Sequence, residues 1–295
     1  MIINVLDYLE SSTRRLPEKT VFADENNSIA YGTFTQYAKS IGTKILDETK
    51  NSKRHPIVVF VDRNIESLVL FMGVTYSGNF YVPIDKQMPK MRIELILDTL
   101  KPIATIVRAS ELEFARDIAP ELKTMVYEDC ISYSADEDKL SKIRRNAIDT
   151  DPLYATFTSG STGIPKGVIT CQRSVVDMTE ALISTFGFDE TCIFGNQNPF
   201  YFDASIKDIF STLKVGGTMY IIPKSCFTFT GTLVDFMLEH KINAILWSAA
   251  AIAVVANTSA FEYNKPEYLK YVMFSGEVMH NKVLNYWRRA LPDTM

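Results

Sequence analysis

Short β-branched runs alternate with segments of helical period along most of this 295-residue chain, and that alternation restricts it to an α/β fold with a largely parallel sheet. Pro56-Ile-Val-Val-Phe-Val-Asp62 reads as a buried strand, residues 65–76 as a helix and 80–84 as a strand. An amphipathic helix over 92–100 is stopped by Pro102, and strands follow over 103–107 and 124–127. Beyond residue 151 the spacing predicts helices over 173–186, 204–213, 233–240, up to about 257, and from 281. Strands are predicted between them over 191–194, 218–222, 243–246 and 271–274. Residues 128–151 shift to mixed charge with few large apolar side chains, as in Ser134-Ala-Asp-Glu-Asp-Lys-Leu-Ser-Lys-Ile-Arg-Arg145, and read as a linker or an exposed helical connection. They divide the chain into expected subdomains over 1–150 and 151–295.

With 46% apolar and 22% charged residues, the chain can bury a proper core and is globular rather than disordered. A net charge of -4 gives no electrostatic reason to expect a nucleic-acid partner. Cys130, Cys171, Cys192 and Cys226 form no CxxC pair, and His55, His240 and His280 are widely dispersed, so no metal site and no disulfide framework is expected. Scattered free cysteines fit a reducing cytosol. Asp7 and Glu10 interrupt the N-terminus before a signal-peptide core develops. The longest apolar stretch, 244–256, contains Ser248 and is too short to span a bilayer, so a membrane partner is not expected and a cytoplasmic location is.

The run Leu153-Tyr-Ala-Thr-Phe-Thr-Ser-Gly-Ser-Thr-Gly-Ile-Pro-Lys-Gly-Val168 carries an apolar strand-like segment into a loop of small hydroxyl residues, glycines and one lysine. Ser159, Gly160, Ser161, Thr162 and Gly163 offer short hydroxyl donors and a backbone free to present successive N–H groups to an anion, and Lys166 adds a positive charge. That pattern points to nucleoside triphosphate handling. A Walker A loop is excluded, because Pro165 precedes Lys166 and Gly167 follows it where a Ser or Thr is needed. The dinucleotide fingerprint fails as well.

The run resembles, almost letter for letter, the phosphate loop of the adenylate-forming superfamily: acyl-CoA synthetases, luciferases and amino-acid adenylation domains. Four further segments resemble core motifs of the amino-acid-activating branch in the same order. These are Ile29-Ala-Tyr-Gly-Thr-Phe-Thr-Gln-Tyr37, Gly73-Val-Thr-Tyr-Ser-Gly-Asn-Phe-Tyr-Val-Pro-Ile-Asp85, Tyr201-Phe-Asp-Ala-Ser205 and Phe274-Ser-Gly-Glu-Val278. The likeness is greatest to D-alanine-activating carrier-protein ligases and to adenylation domains of nonribosomal peptide synthetases. It implies the N-terminal core of such an enzyme, two packed α/β subdomains truncated before the small C-terminal domain. After the helix at 281–292 the family places a Tyr-Gly-Pro-Thr-Glu motif, and this sequence stops at Met295.

What the resemblance implies about residues is specific. Thr158, Ser159, Gly160, Ser161, Thr162, Gly163, Lys166 and Gly167 would bind nucleotide, with Lys166 catalytic and Mg²⁺ arriving on ATP. Gly276 and Glu277 would sit beside the adenine. Asp203 would pair with the α-ammonium of an amino acid, although an Asp before an apolar helix also serves as an N-cap. Ala204, Lys207, Leu246, Met273 and Ser275 would line the amino-acid pocket. Lys207 stands where relatives carry an apolar or aromatic residue; it either recognises an acidic substrate side chain or pairs with Asp203 or extends to solvent. Ser275 stands where D-alanine ligases have Cys, His280 where Pro is usual, and Trp247-Ser-Ala-Ala-Ala251 lacks the proline of the usual Val-Pro-Ser. The implied reaction of the intact parent is activation of an amino acid as aminoacyl-AMP and transfer to a phosphopantetheinyl carrier-protein thiol. The alternative is a non-catalytic nucleotide-binding remnant that acts through contacts.

Overall fold

The computed structural model describes residues 2–158, 165–262 and 264–295. In chain order the elements are α1 (Leu6–Arg15), β1 (Thr20–Ala23), β2 (Ser28–Ala30), α2 (Tyr31–Glu48), β3 (Pro56–Val61), α3 (Ile65–Tyr76), β4 (Phe80–Asp85) and α4 (Lys90–Leu100). Then come β5 (Ala104–Val107), α5 (Leu112–Ile118), β6 (Thr124–Val126), α6 (Tyr127–Ile131), α7 (Glu137–Arg145), β7 (Pro152–Thr158), β8 (Lys166–Cys171) and α8 (Gln172–Phe186). The chain continues through β9 (Ile193–Asn196), α9 (Ile206–Val215), β10 (Thr218–Ile221), α10 (Thr230–Glu239), β11 (Ala244–Ser248), α11 (Ala249–Asn257), β12 (Tyr271–Ser275) and α12 (Asn281–Ala290).

Two compact units result, and their division differs from the expected boundary between 150 and 151. The first unit runs to Pro17 and resumes over Tyr31–Asp177; the second combines Glu18–Ala30 with Met178–Met295. Strand pairing is the reason. β7 bonds to β4 with Tyr81 opposite Tyr154, so the segment after 151 belongs to the first unit. β1 lies parallel to β10 with Phe22 opposite Met219, which gives the second unit a strand from near the N-terminus. Each unit therefore has its own six-stranded sheet, in the orders β6-β5-β3-β4-β7-β8 and β12-β11-β9-β10-β1-β2, in keeping with the two α/β subdomains that the resemblance implies. Both are mixed, because β8 runs antiparallel to β7 and β2 antiparallel to β1. The mixed-charge stretch 128–151 is an exposed helical connection: α7 is capped by Asp136, whose side chain accepts from Lys139 N, and only Leu140 of that helix is buried.

In the first unit β3 and β4 are apolar at nearly every position because both faces of their sheet are covered. Phe80, Val82 and Ile84 pack in one cluster with Ile93 and Ile96 of α4 and Ala115 and Ile118 of α5. The intervening Tyr81 points the other way, stacked on Phe71 of α3 at 4.2 Å between ring centres. Helices α2 and α3 meet through glycines. A β-carbon on Gly73 would lie 2.4 Å from Ile41 Cγ2, and one on Gly42 would lie 2.7 Å from Tyr76 Cβ. In the second unit Trp247 and Ile245 of β11 pack with Leu233, Val234 and Met237 of α10, Ile252 of α11 and Trp287 of α12. Both indoles are tied to backbone carbonyls, Trp247 to Gly195 at 2.7 Å and Trp287 to Ile252 at 3.0 Å.

Charged residues close the carboxyl ends of β3, β4 and β5. Lys86 donates to Asp62 at 2.5 Å and to Glu111 at 2.8 Å, and Arg108 donates to the same two carboxylates at 2.5 and 2.6 Å. Burial alone would raise the carboxyl pKa of Glu111, but the hydrogen bonds from Arg108 and Lys86 outweigh it and hold the group below its ordinary range.

Two stability predictions follow from this packing. Gly73→Ala should destabilise the protein by about 1–3 kcal/mol, because the added methyl overlaps the buried Ile41; a urea unfolding curve reads this directly. Glu111→Gln should cost about 2 kcal/mol at neutral pH by leaving Lys86 and Arg108 short of an acceptor. A depressed carboxyl contributes stability above its unfolded pKa and loses it as pH falls through the folded value. The denaturation midpoint of the native chain should therefore drop on acidification below the ordinary glutamate range, and less so in the variant.

Candidate functional site

The first unit contributes a hairpin. Leu153, Tyr154 and Ala155 of β7 are buried, and Tyr154 stacks on Tyr81 at 5.7 Å, so the base of the hairpin is anchored in the sheet. Its mouth is exposed: Thr158 stands opposite Lys166 in register, and both side chains face solvent. Ser159, Gly160, Ser161, Thr162 and Gly163, the expected phosphate-binding residues between them, lie outside the described residues. Gly167 has a packing reason of its own. It sits opposite Phe157, whose ring would approach a β-carbon there to 3.1 Å, so the missing side chain leaves room for the ring across the strand pair. Exposed Thr158 and Lys166 offer a hydroxyl and a cation at the mouth, chemistry that suits an anion such as a phosphate group.

In the second unit the carboxyl ends of β9, β11 and β12 carry polar side chains side by side. Asn196 ends β9 and donates to Asp208 at 2.8 Å, and Asn198 donates to the Leu246 carbonyl at 2.9 Å. Gln197 accepts from the Ser248 hydroxyl at 3.3 Å, and Ser248 pairs in register with Ser275 at the end of β12. Lys207, in the first turn of α9, donates from Nζ to the Ser275 hydroxyl at 2.5 Å. Leu246 and Met273 are also register partners on these strands, with Leu246 buried and Met273 half-buried. Asp203 opens a short 3₁₀ turn, Asp203–Ser205, and is exposed, while Ala204 beside it is half-buried. Asp203 is not an N-cap. The cap positions of the turn and of α9 are Phe202 and Ser205, neither with a side-chain cap, and α9 begins at Ile206 rather than 204. Gly276 turns the chain after β12 with φ +100°, a conformation glycine adopts without strain, and Glu277 follows it in the open.

The structure thus joins Lys207 to Ser275 directly and sets Leu246 against Met273, while Thr158, Lys166 and Gly167 belong to the other unit. Sequence reading missed Asn196, Gln197, Asp208 and Ser248. The amide-rich Gly195-Asn-Gln-Asn198 was the available signal, but the strand expected over 191–194 runs over Ile193–Asn196, which brings those amides onto the strand end.

Two mixed six-stranded sheets in this order are the fold of the N-terminal domain of adenylate-forming enzymes. VinN in complex with L-aspartate superposes with a TM-score of 0.84 at 15% identity, over 99% of this chain and 74% of its own. A fatty acyl-adenylate ligase from L. pneumophila superposes with a TM-score of 0.83 at 16% identity, over 99% of this chain and 53% of its own. The chain belongs to the AMP-binding enzyme family, whose profile matches residues 9–295. It is 26% identical to a D-alanine--D-alanyl carrier protein ligase of Lactiplantibacillus plantarum over 99% of its length, and 28% identical to the ligase of that name from Listeria welshimeri over 100%. It spans 57% and 58% of those two proteins. Surfactin synthase subunit 1 of Bacillus subtilis is 26% identical over 98% of this chain, which covers 8% of that protein. Among the described residues no helix is long and apolar enough to cross a membrane.

Because Lys166 is exposed at a hairpin mouth, Lys166→Ala should leave the unfolding free energy within about 0.5 kcal/mol of the native chain in chemical denaturation.

Proposed function

We propose that this chain forms the nucleotide- and acid-binding part of an amino-acid adenylation enzyme. A carboxylate oxygen of the amino acid attacks the α-phosphorus of ATP. The bond from that phosphorus to the α–β bridging oxygen breaks, and pyrophosphate leaves with the electron pair. The carrier thiol, losing its proton, then attacks the acyl carbon of the aminoacyl-adenylate and releases AMP. Catalysis of this kind is positioning and charge stabilisation. Lys166, Thr158 and Gly167, together with 159–163, would grip the triphosphate, with Lys166 offsetting charge on the phosphates. Gly276 and Glu277 would flank the adenine. Asp203 would take the α-ammonium, and Ala204, Leu246, Met273, Lys207 and Ser275 would surround the rest of the acid. Mg²⁺, when bound with ATP, supplies further neutralisation of the phosphate oxygens. The phosphopantetheinyl carrier protein is the proposed acceptor.

The observation that most supports this reading is that similarity to the D-alanine--D-alanyl carrier protein ligases runs over the entire chain and includes the phosphate-loop run. The chain spans 57–58% of those ligases, so the activity of the intact enzyme is itself part of the proposal, beside the second reading of nucleotide binding without turnover. Two measurements decide: ATP binding by calorimetry and amino-acid-dependent exchange of pyrophosphate into ATP. Binding with exchange supports the enzyme; binding without exchange supports the second reading. Absence of ATP binding removes both. Lys166→Ala should weaken ATP binding about 10–100-fold by deleting one charge-assisted contact.

A further inference from the structure

At the carboxyl edge of the second unit's sheet, the side chain of Lys207 reaches a neutral group, the hydroxyl of Ser275. Lys207 is half-buried in the first turn of α9, a ten-residue helix whose N-terminus carries partial positive charge of its own. A lysine there gains nothing from the helix and needs an anion. Its ammonium has three donors. Among the described residues it forms no ion pair, and its hydrogen bond goes to the uncharged hydroxyl of Ser275 at 2.5 Å. Next to Ser275 stand Ser248 and Gln197, also neutral. Three acids lie near it in the fold or the sequence, Asp208, which accepts from Asn196, and the exposed Asp203 and Glu277, and among the described residues none of them forms an ion pair with Lys207. The contrast with the first unit is instructive, because at the equivalent edge two cations meet two carboxylates and the charge is balanced.

We infer that Lys207, steadied by Ser275, binds the side-chain carboxylate of the substrate, so that the amino acid taken at this site is a dicarboxylic one. This rests on the amino-acid adenylation reading and narrows it. A carboxylate would accept from the remaining ammonium protons in a charge-assisted pair, and an aliphatic side chain would leave them without an acceptor.

The test is direct binding of aspartate, glutamate, asparagine, glutamine and alanine to the 295-residue chain by calorimetry, with ATP titrated separately. Aspartate or glutamate should bind at least tenfold tighter than its amide and than alanine. That preference should vanish in Lys207→Met, return in large part in Lys207→Arg, and leave the circular dichroism and ATP affinity of both variants unchanged. Alanine or the amides binding as well as the acids would overturn the inference while leaving amino-acid activation in place. ATP binding with no amino acid bound would remove the amino-acid reading itself, and the inference with it. An acid preference untouched in Lys207→Met would assign the recognition to another residue.

Discussion

Parallel pairing is the constraint on which the rest depends. A parallel strand must be followed by a crossover, so every strand in such a set ends at the same edge of the sheet and hands its next few residues to that edge. In the second unit β9, β10, β11 and β12 all run one way, which is why Asn196, Gln197, Ser248 and Ser275 become neighbours although 79 residues of sequence, from 196 to 275, separate the first from the last. Ligands in open α/β sheets collect at this carboxyl edge for the same reason. Here it is also where α9 starts and brings Lys207 to Ser275.

The two units use that edge differently. In the first, the residues following β3, β4 and β5 neutralise one another, and the buried Glu111 is held ionised by its two basic partners. Such a cluster is electrostatically complete and acts as a clamp on three strand ends. The exposed chemistry of that unit lies instead at its antiparallel edge. The β7–β8 hairpin presents Thr158 and Lys166 to solvent from a base fixed by the Tyr81–Tyr154 stack. In the second unit Lys207 forms no ion pair among the described residues and donates to the neutral Ser275 hydroxyl.

Close packing sets how firmly these edges are held. Gly42 and Gly73 let α2 and α3 approach until side chains touch backbone, and α3 in turn supplies Phe71 beneath Tyr81, the residue on which the hairpin strand rests. Gly73 lies in one of the segments that resemble the family's core motifs, and its structural role is contact rather than chemistry. Gly167 is similar, its backbone lying under the Phe157 ring.

Sequence by itself determined the α/β class, most of the central strands and helices, and the family. Those depend on local periodicity and on contiguous motifs, as in α3, which runs over Ile65–Tyr76 as the spacing predicts. It also singled out Lys207 and Ser275, each as a departure from the pattern of relatives. Tertiary structure alone decided that these two touch, since they are 68 residues apart and meet only because α9 starts at the edge where β12 ends. It alone assigned Glu18–Ala30 to the second sheet and the strand after 151 to the first, because hydrogen-bond partners of parallel strands are remote in sequence and leave no local mark. Asp203 shows the same limit at short range. A carboxylate before an apolar helix fits an N-cap by pattern, yet a single 3₁₀ turn over Asp203–Ser205 moves the helix start past it to Ile206.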